Sequence, residues 1–170
     1  MFAFRCKSCS KVHEGIPSFG WDYPVQYLQV PESERATRCS LTSDTCVIDK
    51  EFFFVRGCLE LPVIGDDEAF SWGVWTSLSE KNFQHFQELY GERKRADHGR
   101  FFGWLCSHIW IYPDTLNLKT MLHLRDDGIR PFVKLEPTDH PLSVEQRNGI
   151  TLERVAEIYE KMVHPRGKAG

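Results

Sequence analysis

The sequence contains no long apolar run and no strong excess of charge of one sign. No stretch reaches the roughly 20 apolar residues that a membrane helix needs. With 24 acidic and 21 basic residues, the net charge of −3 predicts no general attraction to nucleic acid or to an anionic membrane. The N-terminal segment MFAFRCKSC also lacks the apolar region and cleavage site of a secretory signal peptide. We therefore expect a cytoplasmic protein that binds neither nucleic acid nor membrane.

The signatures of several common enzyme classes are also missing from the sequence. There is no phosphate-binding G-x-x-x-x-G-K-[ST] loop, no dinucleotide-binding G-x-G-x-x-G, no H-E-x-x-H and no G-x-S-x-G. The H-x-E and P-C-x-x-C pair of the zinc deaminases is absent as well. Sequence motifs alone therefore assign no enzymatic activity.

The composition is that of a folded chain with a bulky core. Its 170 residues suit one domain, and 41% of them are hydrophobic and 13% aromatic. Six cysteines are expected to be reduced in the cytoplasm. Cys58, in an alternating strand, and Cys106, in the apolar run FFGWLC, are predicted to be small buried side chains.

The periodicity of the apolar residues predicts a sheet-rich fold. Strands are predicted at 24–30, 46–49, 51–63, 70–78, 115–125 and 131–136, and helices at 31–39, 78–90, 140–149 and 151–163. Ser77 is expected to cap the second helix, and residues 92–100 are expected to form a solvated, charged loop. The fold class is therefore α+β, a single domain with a mainly antiparallel sheet, a few helices and an N-terminal zinc-knuckle-like turn. Its parts are the turn at 1–20, a mainly β region with one helix at 21–137, and C-terminal helices at 138–165.

The alternation is clearest in the segment TLNLKTMLHLR, which should form a hairpin with residues 131–136 through a turn at 126–128. Leu116, Leu118 and Leu122 should point to the core, while Asn117, Lys119 and His123 should be more exposed to solvent than these leucines. Since polar residues occupy one whole face, that face is predicted to be solvated or to line a pocket. Of the tryptophan pair at 72 and 75, at most one is expected to be fully in the core, because the two have opposite parity.

The N-terminal motif Cys6-x-x-Cys9, followed by His13, predicts a zinc site. Two thiolates on one tight turn can share a tetrahedral Zn²⁺, and the histidine is near enough to add a third ligand. The alternatives are two unrelated thiols and a thioredoxin-like redox motif, but no βαβ pattern of the kind that carries the redox motif follows here. The residues leave the fourth ligand open among Cys39, Cys46, His140 and water. Sites rich in thiolate are usually closed and structural.

The strongest candidate for catalysis lies at Asp139, His140 and Glu145, where a hairpin ends and a helix begins. His140 beside Asp139 would serve as a general base of a hydrolase. The competing interpretation gives this segment a structural role, with Asp139 or Thr138 as the helix N-cap and Pro141 in the first turn.

Seven segments of the chain occur in the same order in one bacterial family. They are CKSCSKVHEGIP (6–17), SDTCVID (43–49), FFVRGCLELPV (53–63), FSWGVWTSLSEKNF (70–83), FFGWL (101–105), YPDTLNLKT (112–120) and LEPTDHPLSVEQRNGI (135–150). The chain resembles this family, the domain of unknown function 2199, over nearly its whole length. The resemblance implies Cys46 as the fourth zinc ligand. It implies no activity, since the function of the family is not established.

One departure from the family pattern falls within the metal motif. The family commonly has glycine after the second cysteine, where this chain has Ser10. If this position requires a positive φ, the serine costs on the order of 1 kcal/mol.

Two functions follow from these observations. The favoured one is a zinc-stabilised module that binds or regulates a protein partner, including neutralisation of a toxin, because no pairing of nucleophile and base can be read from the sequence. The alternative is a hydrolase-type enzyme with its site near Asp139, His140 and Glu145.

Overall fold

The computed structural model describes residues 2–165 as a sheet-rich α+β domain, as the sequence predicted. The strands are β1 (Ala3–Arg5), β2 (Val12–Glu14), β3 (Ser18–Gly20), β4 (Cys39–Leu41), β5 (Thr45–Ile48), β6 (Phe52–Leu61), β7 (Phe70–Leu78), β8 (Arg100–Leu105), β9 (Lys119–His123) and β10 (Phe132–Leu135). The helices are α1 (Val25–Gln29), α2 (Glu32–Arg38), α3 (Glu80–Glu88), α4 (Pro141–Asn148) and α5 (Leu152–Val163). None of the helices in this range is long and apolar enough to cross a membrane.

The main sheet has eight strands in the order β3-β7-β8-β9-β10-β6-β5-β4, and β6 also pairs with β7. Strands β6 to β10 therefore close into a five-stranded ring. The neighbours in the ring are antiparallel except for β6 and β10, which pair in parallel. Strands β1 and β2 form a separate antiparallel hairpin that carries the cysteine motif.

The principal core lies on one face of the sheet. Its strand residues alternate, as predicted for Val55, Leu59 and Leu61 of β6, and all three are fully buried. Helix α3 contributes Phe83 and Phe86 to the same cluster, and the C-terminal helices cover the rest with Leu142, Val155 and Ile158. Burial of these apolar side chains is the main source of stability for a domain of this size.

A second, smaller cluster covers part of the opposite face of the sheet. Its buried members are Val30, Cys46, Ile48, Phe54, Trp75 and Cys106. Because this cluster encloses Trp75 while Trp72 lies in the principal core, both tryptophans are completely buried, and the prediction that at most one would be was wrong. Cys106 is buried as predicted, but Cys58 is only partly buried.

Two local predictions were wrong, the strand at 24–30 and the N-cap of α3, because local backbone and side-chain contacts differ from what the apolar periodicity predicted. Residues 25–29 form the short helix α1 instead of a strand, with Pro24 as its N-cap residue. Helix α3 is capped by Ser79, whose Oγ accepts a 3.2 Å hydrogen bond from the backbone N–H of Asn82, and not by Ser77. Ser77 lies within β7, so its backbone belongs to the sheet.

The hairpin predicted for residues 115–137 is present, but its strands are shorter. Strand β9 covers only residues 119–123, pairs with β10, and is preceded by a turn in which Asn117 has a φ of 61°. Leu122 is fully buried, whereas Lys119 is exposed and His123 is half-buried. The face of β8, β9 and β10 on which Lys119 and His123 lie, called the outer face below, is therefore exposed to solvent, as the alternation predicted.

Candidate metal centre and exposed sheet face

The two cysteines of the N-terminal motif lie on the tight turn that joins β1 to β2. The backbone N–H of Cys6 donates to the carbonyl of Lys11 at 2.9 Å, and the N–H of Ser10 donates to the carbonyl of Cys6 at 2.9 Å. Ser10 adopts a φ of 59°, a left-handed backbone conformation that glycine adopts most easily. This is the position at which the family commonly has glycine. The turn therefore has the knuckle geometry that the spacing of the cysteines predicted.

A histidine from the other end of the chain completes a group that could hold a metal ion. The ligand atoms of Cys6, Cys9 and His164 all lie within 4.8 Å of one another. His164 is the C-cap residue of α5, which packs beside the β1–β2 hairpin. One of its ring nitrogens, Nε2, is buried and has no hydrogen-bond partner among the residues described. A buried nitrogen without a partner is unfavourable in the protein alone, and a bound metal would satisfy it.

His13, the third predicted ligand, lies next to this group. Its Nε2 is 3.5 Å from the Sγ of Cys9, and its Nδ1 is 3.1 Å from the hydroxyl of Tyr159. The ring also packs against Phe4 and Tyr159. The hydroxyl contact holds one nitrogen and leaves Nε2 beside the Cys9 thiol, although His13 is not part of the group whose ligand atoms lie within 4.8 Å of one another.

The backbone around Cys6 favours the ionised thiol. Burial raises the pKa of Cys6, but the backbone N–H groups of Cys9 and Ser8 and the side chain of Cys9 outweigh it, so the pKa lies below its ordinary value. The thiolate is the form of cysteine that binds metals. The turn therefore brings two sulfur atoms close together and favours the ionised form of Cys6, and both features suit the binding of a metal cation.

Cys46 lies outside this group, although the resemblance implied it as the fourth ligand. It is fully buried in the second cluster, where it pairs with Phe54 across β5 and β6. Burial raises the pKa of Cys46 to about 12, which disfavours a thiolate. Cys39 lies on the adjacent strand β4, at the margin of the same cluster. The structure therefore gives no support to either cysteine as a ligand of the N-terminal site.

The candidate catalytic residues do not come together as a working set. His140 is the N-cap of α4: its Nδ1 accepts a 3.2 Å hydrogen bond from the N–H of Leu142, and its Nε2 lies 3.2 Å from the carbonyls of Pro113 and Asp114. Both ring nitrogens are therefore engaged with the backbone. The prediction that Asp139 or Thr138 caps α4 was therefore wrong.

Glu145 belongs to a different set of contacts. Its Oε2 accepts a hydrogen bond from the hydroxyl of Tyr112, and its Oε1 pairs with Nε of Arg154 at 2.8 Å. Burial, together with Glu145, raises the pKa of Tyr112. Because both carboxylate oxygens are engaged, Glu145 ties α4 to α5. Asp139 is exposed at the surface before α4.

Aromatic side chains are exposed on the outer face of β8. Phe102 and Trp104 are 44% and 40% exposed, and their rings meet edge to face with centroids 5.2 Å apart. Gly103 lies between them in β8, where a Cβ atom would overlap the carbonyl oxygen of Ser77 in β7. The glycine allows the two strands to approach. The sequence pattern did not predict the aromatic pair.

Comparison with known proteins identifies the family of the chain but no characterised relative. No curated protein and no solved structure matches it. A family model described as "Uncharacterized protein conserved in bacteria (DUF2199)" matches residues 5–150, a range that includes Cys6, Cys9 and His13 and ends before α5. Since the match covers well over half of the chain, the protein belongs to this uncharacterised bacterial family.

Proposed function

We propose that the protein is a zinc-stabilised module that binds a protein partner in the cytoplasm. The exposed aromatic pair on β8 is the observation that carries the binding role, and the Cys6–Cys9–His164 group carries the role of the metal. The six cysteines are all free thiols, which is the form expected in a reducing compartment.

The proposed ligands of Zn²⁺ are Cys6, Cys9, His13 and His164. Two thiolates and two imidazoles are a common ligand set of closed, tetrahedral structural zinc sites. With four protein ligands no position is left for a water molecule, so this zinc would stabilise the fold and not act as a catalyst. Cys46, the ligand that the resemblance implied, is not included because it is buried in a separate cluster.

Zinc would connect the two ends of the described chain. Strands β1 and β2 have three residues each, and an isolated hairpin of that size is at best marginally stable in water. Its contacts with α5 are few, including an edge-to-face contact of Phe4 with Tyr159 and a 2.7 Å hydrogen bond from Ser8 to Glu160. Structural zinc supplies on the order of 10 kcal/mol, which is enough to offset the cost of ordering the turn at residues 6–10, at about 1–2 kcal/mol per residue.

Metal analysis of the purified protein and four variants tests the zinc site. We expect one zinc per chain in the wild type, in Cys46→Ala and in Cys39→Ala, and much less in Cys9→Ser and His164→Gln. Chelation should speed amide hydrogen exchange in residues 3–14 and leave the exchange of β6 and β7 unchanged. Zinc retained at full occupancy in both Cys9→Ser and His164→Gln would contradict the assignment, as would zinc lost from a folded Cys46→Ala.

The binding role is supported by the position of the aromatic pair. Large aromatic side chains contribute most of the energy in many protein interfaces. Phe102 and Trp104 lie on a rigid strand, so little conformational entropy would be lost when a partner packs against them. No feature of this face points to a reaction, and the hydrolase alternative gains no support because His140 and Glu145 are both held in structural contacts.

Affinity capture from the source cell, quantified for matched variants, tests the binding role. The double variant Phe102→Ser with Trp104→Ser should lose the co-purifying protein. Phe52→Ser is the control, because Phe52 is 52% exposed but lies on β6 and not on β8. If the double variant is folded and captures the same proteins in the same amounts as the control, the aromatic pair is not the binding surface.

A further inference from the structure

The outer face of β8, β9 and β10 has an ordered pattern of basic and apolar side chains. In the register of the sheet, Arg100 is opposite His123, Phe102 is opposite Met121, and Trp104 is opposite Lys119. On the other side of β9, Lys134 is opposite Met121. The aromatic pair is therefore accompanied by Arg100 on the same strand, Lys119 on β9 and Lys134 on β10, and a cleft of about 340 Å³ is lined by Phe102 and these three cations.

The geometry points to an acidic partner segment: we propose that this face binds a peptide stretch in which aspartate or glutamate residues flank an apolar side chain. The apolar side chain would pack on Phe102 and Trp104, and the carboxylates would meet Arg100, Lys119 and Lys134. This inference rests on the proposed binding function and adds the chemistry of the partner.

The charges of this face support that assignment, because they oppose the balance of the whole molecule. The chain carries a net charge of −3, yet the cleft is lined by Arg100, Lys119 and Lys134 with a single carboxylate, Glu136. Glu136 approaches only Lys119, at 4.0 Å, and both side chains are about half exposed. Among residues 2–165, neither Arg100 nor Lys134 takes part in an ion pair. These two cations are therefore available to a partner.

The pKa of His123 is lowered in part by the same positive charges. Burial lowers its pKa, and the charges of Arg100 and Lys134 lower it further. The one carboxylate among the described residues that line this cleft is Glu136, which follows β10. A carboxylate brought in by a partner would thus enter a region where positive charge is not yet compensated.

The confined size of the patch favours a peptide over nucleic acid. A single strand of nucleic acid also combines phosphate contacts with stacking on aromatic rings, but it needs a basic track along its length. Here the basic residues are limited to three strands of a molecule that is acidic overall. Phe102 and Trp104 also contact each other edge to face, so they do not offer two parallel faces to successive bases.

Selection from a displayed library of random dodecapeptides tests the inference. We expect the recovered peptides to be enriched in aspartate and glutamate around one aromatic or branched apolar residue. Synthetic versions of these peptides should bind about tenfold more weakly to the double variant Arg100→Glu with Lys134→Glu, a loss typical of charge pairs at interfaces. Lys81→Glu with Arg93→Glu is the control, because it makes the same change of charge outside this face and should bind normally.

Several outcomes would overturn the inference. Recovered peptides that are neutral or basic would do so, and so would acidic peptides whose affinity is the same for a folded charge-reversal variant. Binding of a dodecamer of thymidylate, lost in the same variant, would make the face a nucleic-acid surface instead. Capture of the cellular partner that fails for Phe102→Ser with Trp104→Ser but persists for the charge reversal would refute only the acidic chemistry. Capture that persists for both would refute the proposed function itself.

Discussion

Arg95 is buried although it carries a charge, with only 3% of its surface exposed. The three shortest hydrogen bonds of its guanidinium run to the backbone carbonyls of Tyr90 at 2.9 Å, Arg125 at 2.8 Å and Ile129 at 3.1 Å, and a longer one reaches that of Leu89 at 3.5 Å. These bonds tie the end of α3 to the segment between β9 and β10. The charged loop at 92–100 was predicted to be solvated, and for Arg95 this was wrong, because a single arginine supplies enough donors to replace water around several carbonyls.

Replacement of Arg95 should therefore destabilise the fold strongly. In Arg95→Met the side chain keeps much of its bulk, but the three carbonyls lose a charged donor. We expect a loss of at least about 2 kcal/mol in the free energy of unfolding, measured by urea denaturation. Arg93→Met is the matched control, since the side chain of Arg93 is 88% exposed and meets Asp127 only at 3.4 Å. Equal losses in the two variants would show that burial of Arg95 contributes nothing.

Ser10 shows the opposite case, a residue that is less suited to its backbone conformation than glycine. Its φ of 59° costs a side chain on the order of 1 kcal/mol, and its hydroxyl is exposed. Ser10→Gly should relieve this strain and tighten zinc binding about fivefold, measured by competition with a chromophoric chelator. Lys7→Gly, at a position of the same turn without a positive φ, should not tighten it. Equal or weaker binding in Ser10→Gly would mean that the serine is not strained.

At the scale of secondary-structure elements, the start of α4 depends on His140. The ring accepts the N–H of Leu142 and contacts two carbonyls that precede β9, so it connects the helix to a distant loop. His140→Ala should lower the free energy of unfolding by about 1 kcal/mol, the usual effect of losing an N-cap side chain. Asp139→Ala should change it little, because Asp139 is exposed. Thermal denaturation of both variants measures the difference, and a larger effect of Asp139→Ala would reverse the assignment.

The elements that the sequence predicted correctly are those whose pattern is local. Strand β7 has the predicted bounds of 70–78, and β6 and α5 lie within one or two residues of theirs. The predicted strand at 24–30 instead forms α1, where Pro24 starts a helix too short to show a helical period. His164 could not be found in the same way. It joins Cys6 and Cys9 only because α5 packs on the β1–β2 hairpin, and that contact depends on the fold of everything between them.

Across the whole molecule, carboxylates connect segments that are distant in sequence. Oδ1 of Asp126, after β9, accepts hydrogen bonds from the backbone N–H groups of Arg95 and Ala96 at 2.8 and 2.9 Å, and Oδ2 pairs with Lys94 at 3.1 Å. Asp44, before β5, binds Arg130 at 2.8 Å and the hydroxyl of Tyr90 at 2.9 Å. Both contacts hold the same region around the end of α3. They make the stability of the domain sensitive to acid.

Asp126 sets the clearest pH dependence. The N–H groups of Ala96 and Arg95 and the charge of Lys94 lower the pKa of Asp126 from 3.8 to about 2. Because the pKa is lower in the folded state, the ionised carboxylate stabilises the fold above pH 3.8, and this contribution is lost as the pH falls towards 2. Asp126→Asn should therefore be less stable than the wild type at pH 5, and the difference between them should shrink by pH 2.5.

Urea denaturation at a series of pH values between 5 and 2.5, with a chelator present throughout, measures this difference. Any metal is then removed equally from every variant, so its loss at low pH cancels in the comparison. Asp127→Asn is the control, because Asp127 is exposed and meets only Arg93, itself at the surface. Its stability should follow that of the wild type across the whole range. A constant difference between Asp126→Asn and the wild type would show that Asp126 acts through its shape and not through its charge.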